Sequence, residues 1–129
     1  MNTAETEMSY TIKKLEIEKM KKDEKQWDLI DKAKQVLISW AKDNNVNVFA
    51  VQFVPMFDLS LEVYVFYDND LEIEKYLNNG ISNKVKKVFI NELNSLRYFE
   101  DFNEKIEFIF DSNENVVKNY QGSYFFRLR

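Results

Sequence analysis

Most of the side chains that could do chemistry in this chain lie in two acid-rich stretches. The first runs from Asp58 through Glu62, Asp68, Asp70 and Glu72 to Glu74, the second from Glu100 through Asp101, Glu104, Glu107 and Asp111 to Glu114. Paired carboxylates can hydrolyse glycosides or hold Mg²⁺ for phosphoryl chemistry. The same residues also have structural uses. Asp68 and Asp70 stand where a helix N-terminus favours negative charge, and Glu62 and Glu107 fall on the solvent side of alternating segments. Caps and solvated faces are the commoner use, so these acids are expected not to be catalytic.

The known motifs break at their strict positions. Asp68-Asn69-Asp70-Leu71-Glu72 opens like a calcium loop, but its sixth residue is Ile73 instead of Gly and its twelfth is Asn79 instead of Glu. The stretch from Asp111 to Asn115 fails in the same way, with Val116 in sixth place. The chain has no His and no Cys, which removes the commonest general base, the thiolate nucleophile and the usual zinc ligands. Two isolated glycines, Gly80 and Gly122, cannot build a phosphate-cradling loop. Lys84, Lys86 and Lys87 form a small basic cluster that fits a solvated helix face better than a nucleic-acid stripe. The expectation is no enzyme, no cofactor, no metal and no direct nucleic-acid partner.

The elements that must position these residues follow from periodicity. Trp27, Ile30, Ala33, Val36, Leu37, Trp40 and Ala41 recur at steps of three and four, which predicts a helix over 21–44. Before it, Met8, Ile12 and Leu15 share a helical stripe, and the lack of any breaker favours a frayed or extended first helix over 1–20. Val46–Val54 is β-branched and aromatic, and after Pro55-Met56-Phe57-Asp58 the residues Leu59, Leu61, Val63, Val65 and Tyr67 alternate. That pattern predicts an antiparallel hairpin. Asp68-Asn69-Asp70 caps a helix that Asn79-Gly80 stops, and Ser82 starts another with Val85, Val88, Phe89, Leu93 and Leu96 on one face. Ile106, Phe108 and Phe110 fit a third strand. Val116, Val117 and Tyr120 fit one helical turn, and Ser123–Arg129 is read as a last strand. The expected architecture is a single α+β domain over 1–129, in the order α-β-β-α-α-β-(short α)-β. Its sheet is mostly antiparallel and four-stranded, with helices packed on one face.

The balance of 45% hydrophobic and 31% charged residues is that of a globular domain, and no run approaches the ~20 apolar residues of a membrane span. The N-terminus, Met1 to Glu7, is acidic and polar, unlike a secretory or transit peptide, so a cytoplasmic address is expected. Residues 1–44 carry nine Lys and nine acids, whereas residues 45–129 carry six Lys and three Arg against thirteen acids. The whole net charge of −4 therefore belongs to the sheet-bearing part. Rings lie beside those acids: Tyr64, Phe66 and Tyr67 before Asp68, Tyr98, Phe99 and Phe102 around Glu100-Asp101, and Tyr120 and Tyr124 after Glu114. Acid beside ring suits a surface that steers and anchors a basic protein.

In the segments Leu61-Glu62-Val63-Tyr64-Val65-Phe66-Tyr67 and Phe110 to Arg129 the chain resembles the small immunity proteins of bacterial contact-dependent growth inhibition and related polymorphic toxin systems. The resemblance implies a compact, acidic, cytosolic α+β domain that binds a cognate toxin domain, foremost a nuclease, and neutralises it by covering its active site or substrate surface. That family shares no active motif, so no residue role is carried over. The expected contact residues are Asp68, Asp70, Glu72, Tyr98, Glu100, Asp101, Glu104, Asp111, Glu114 and Tyr120. The competing readings are a non-inhibitory adaptor, or a homo-oligomer formed through Trp27, Trp40 or strand rings. A carboxylate and Mg²⁺ hydrolase is a third.

Overall fold

The computed structural model describes residues 3–56, 60–97 and 105–129, with side chains in the first helix at Thr11, at 13–17 and from Glu24 onward. Among these, the elements run α1 (Thr3–Asp43), β1 (Val48–Pro55), β2 (Leu61–Tyr67), α2 (Asp70–Asn78), α3 (Ile81–Ser95), β3 (Ile106–Ser112), α4 (Asn113–Asn119) and α5 (Tyr124–Leu128). The first helix is continuous, so the segments expected over 1–20 and 21–44 form one element of 41 residues. It ends where Asn45 takes a left-handed backbone (φ 56°), which Asn tolerates better than most residues. The Val46 amide then donates to the Ala41 carbonyl at 2.8 Å and turns the chain into β1.

The sheet has three strands in the order β1-β2-β3. β1 and β2 form the expected antiparallel hairpin, with Val51 opposite Val65 and Phe53 opposite Val63. β3 lies parallel to β2, with Val63 opposite Phe108 and Val65 opposite Phe110. A parallel neighbour needs a crossover of a dozen residues or more, and the two-helix connection through α2 and α3 is long enough to supply it. The expected mostly antiparallel, four-stranded sheet is therefore corrected to a mixed sheet of three strands. The supposed last strand is the short helix α5. Ser123 caps it by accepting from the Phe126 amide, and Arg127 is drawn to a carboxylate on β3.

Strand alternation gives the sheet two different faces. On one, Val51, Leu61, Val63, Val65 and Tyr67 are buried and form a single core with Leu29, Ile30, Ala33, Leu37 and Ala41 of α1 and Val85, Phe89 and Leu93 of α3. Phe89 sits at its centre, with ring centroids 5.6 Å from Phe53 and 5.8 Å from Phe108. On the other face Phe66 is buried with the Tyr124 ring of α5 edge-on at 4.8 Å, so helical segments lie on both sides instead of one. Tyr67 is fully buried, and its hydroxyl lies 2.7 Å from that of Ser82 on α3. Burial holds its phenol up to about 12.

Truncating the central ring should be costly. Phe89→Ala is expected to lower unfolding free energy by about 3–5 kcal/mol, whereas Leu71→Ala, at a site 82% exposed, should change it by less than about 0.5 kcal/mol. Urea titrations of both variants measure the difference, and equal effects would mean the core is misplaced. A raised phenol ionises only in the unfolded chain at first, so its contribution is intact below pH 10 and drains away as pH rises towards 12. Tyr67→Phe should therefore flatten the fall in stability between those limits by roughly 1.4 kcal/mol per pH step. An unchanged alkaline slope would contradict that assignment.

Candidate binding surface

Because β2 and β3 run parallel, their carboxyl ends emerge side by side and each leads directly into a helix. The residues between strand and helix interlock. Asn69 caps α2 in a reciprocal box, its side chain accepting from the Glu72 amide at 3.1 Å while Glu72 accepts from the Asn69 amide at 3.1 Å. Ser112 caps α4 by accepting from the Asn115 amide at 3.0 Å and donates its own proton to Asp70 at 2.5 Å. Glu114 returns the contact, accepting from the Asp70 amide at 3.0 Å, and its amide donates to the Asp68 carbonyl at 3.2 Å. The bond from the Asp70 amide is the main reason the Glu114 carboxyl is held below its ordinary value. Burial and the nearby Glu72 push Asp68 up.

Asp111 is the most heavily engaged acid. Its carboxylate accepts from the Ser112 amide at 2.8 Å and from the Asn115 side chain at 3.0 and 3.1 Å, and it forms an ion pair with Arg127 at 2.5 Å. The Arg127 guanidinium also lies over the rings of Tyr64 and Tyr120, 5.5 and 5.7 Å from their centroids. Beside it Tyr124 meets Phe66 edge-on at 4.8 Å and donates to Asn113 at 2.8 Å. The α5 segment is thereby pinned across the far half of the sheet face.

The near half of that face has no such cover among the described residues. Glu62 and Glu107 are register partners on β2 and β3, followed along the strands by Tyr64 opposite Ile109. Val54 and Gln52 lie next to them on β1. The Tyr64 hydroxyl donates to Glu62 at 3.3 Å. Its phenol is raised first by burial and then by Glu62, with Glu107 adding to the rise and Arg127 opposing it. An open groove bounded by Met56, Glu62, Lys105 and Glu107 ends the surface. At the opposite margin α5 exposes Phe125 (73%) and Phe126 (48%).

The ten residues expected from sequence divide three ways. Asp68, Asp70, Asp111, Glu114 and Tyr120 are gathered at the carboxyl ends of β2 and β3, and of these Asp68 and Asp70 are exposed. Asp111 and Glu72 are buried and engaged internally. Glu72 accepts from the Asn47 side chain at 2.6 Å and from the Tyr76 hydroxyl at 3.0 Å, so both acids are structural and neither is set out for contact. Tyr98, Glu100, Asp101 and Glu104 lie outside the described residues. Sequence reasoning treated Glu62 and Glu107 only as solvent-facing acids and missed their register. It gave Arg127 no role, because its partner lies 16 positions away across a turn. Among the described residues no group of three or more acidic side chains is placed to hold a metal ion. No described helix is long and apolar enough to cross a membrane. Comparison with protein-family models, with curated proteins and with solved structures finds no match.

Removing the Arg127 charge strands a mostly buried carboxylate. Arg127→Met is expected to lower stability by about 2–3 kcal/mol, less than for a fully buried pair because the arginine keeps some solvent contact. Asp111→Asn in the same chain should restore most of the loss. Denaturant unfolding of the single and double variants checks this, and additive losses would show that the two side chains act separately.

Proposed function

We propose that this chain is an immunity protein that binds a basic toxin domain, foremost a nuclease, and neutralises it by covering its active site or substrate surface. The observation that supports it most is the open half of the sheet face, where Glu62 and Glu107 stand in register beside Tyr64. Like charges directly opposite each other on a sheet are destabilising. Neither acid takes part in the ion pairs Lys118–Glu114 and Arg127–Asp111, and Glu62 keeps a hydrogen bond from the Tyr64 hydroxyl at 3.3 Å. A cationic partner relieves that repulsion on binding and is steered to the site by the excess acid of residues 45–129. The exposed rings of Phe125 and Phe126 supply apolar anchors at its margin, with Asp68 and Asp70 further along the same end.

The direct test is rescue of cells expressing the toxin encoded beside this chain, with purified-protein kinetics in parallel. The wild-type chain should restore growth, and Glu62→Lys with Glu107→Lys should abolish rescue while leaving cooperative unfolding intact. Raising ionic strength from ~0.05 to ~0.5 M should slow association several-fold. Full rescue by the doubly reversed variant, or an association rate indifferent to salt, would remove the open face from the interface.

A further inference from the structure

The sheet face opposite the core is filled at one end and open at the other. Read along β2 and β3, its rows are Glu62 with Glu107, Tyr64 with Ile109, and Phe66 with Asp111. Helix α5 covers the last row, with Tyr124 against Phe66 and Arg127 on Asp111. In the first row Glu107 is exposed, and beyond it lies a groove lined by Met56, Leu61, Lys105 and Ile106. The groove measures about 530 Å³, within the range of clefts that take small organic groups.

The segment that fills one end carries the complement of the other. Residues 115–129 hold three bases and no acid. The outward side of α5 is aromatic, with Phe125 73% and Phe126 48% exposed. The Arg129 guanidinium rests over both rings, 5.8 and 5.9 Å from their centroids. Phe49, 54% exposed and stacked on Tyr124 at 6.3 Å, continues the patch onto β1. Adjoining exposed rings of this kind mark an interaction site. Arg127 shows what the sheet face offers such a segment. Its guanidinium lies over the Tyr64 ring at 5.5 Å and pairs with a β3 carboxylate. On the open side of Tyr64 the carboxylates of Glu62 and Glu107 stand in the same relation to the ring.

We propose that two copies of this chain dimerise by exchange, α5 of each lying over the Glu62–Glu107 row of the other. A two-fold axis in the plane of contact, across the strands near Tyr64, carries the last row of one copy onto the first row of the second. Each ridge then meets an open half, and the interface is isologous and closed. Phe125 and Phe126 enter the groove beside Met56 and Ile106, and Arg129 of one copy lies between Glu62 and Glu107 of the other. Both contacts are charge-complementary, and both relieve the opposition of two acids in register. The dimer rests on this geometry and not on the toxin reading. The face cannot hold both occupants, so a toxin bound there displaces the second copy.

Sedimentation equilibrium of the full chain at low salt tests it. Wild type should associate to a dimer as its concentration rises, and Leu71→Lys, on the exposed side of α2, should associate equally. Glu62→Lys and Arg129→Glu should each weaken association several-fold while still unfolding cooperatively. Mixing those two variants should restore the dimer, because the two reversed charges then face each other and the two unchanged ones do the same. Loss in each variant with recovery in the mixture requires Arg129 of one copy to face Glu62 of the other. A wild-type chain that is monomeric throughout, variants that associate as wild type does, or a mixture that fails to recover would each overturn the proposal. A monomeric wild type that still rescues cells overturns the dimer alone, and a dimer that fails to rescue overturns the toxin reading alone.

Discussion

The parallel pairing of β2 with β3 fixes where nearly everything else in the molecule lies. It makes β2 the central strand, hydrogen-bonded on both sides, with a core on one face and Phe66 buried on the other. It also brings two strand-to-helix turns together at one end of the sheet. Each turn would otherwise leave several helix N-terminal amides without partners. The solution is mutual, with Ser112 bonded to Asp70 and Glu114 bonded to the Asp70 amide. A first-turn acid of α4 thus completes the N-terminus of α2, while Asp70 of α2 holds the Ser112 hydroxyl that caps α4.

This explains why the acids divide as they do. Sequence reasoning saw one acidic half and treated it as one surface. The fold splits it into carboxylates engaged in hydrogen bonds at the strand ends and carboxylates left open along the strands. Glu72 and Asp111 belong to the first kind because they sit where amides converge. Glu62 and Glu107 belong to the second because strand alternation turns them away from the helices, and α5 reaches only as far as Tyr64. Position along a strand, more than local composition, decides which acids remain available to a partner.

The elements legible in the sequence are those fixed by local periodicity. The Trp27-to-Ala41 helix, the alternation from Leu61 to Tyr67 and the α2 cap were readable because neighbours within four positions determine them. The direction of β3 was not, since Ile106, Phe108 and Phe110 would alternate identically in a parallel or an antiparallel strand. The C-terminus misled for a related reason. Tyr124, Phe126 and Leu128 alternate like a strand, but Ser123 caps a helical turn and Arg127 reaches back to Asp111. A long-range ion pair and a local cap together prevailed over β-propensity. The register of Glu62 with Glu107, on which the candidate surface rests, is equally a tertiary fact.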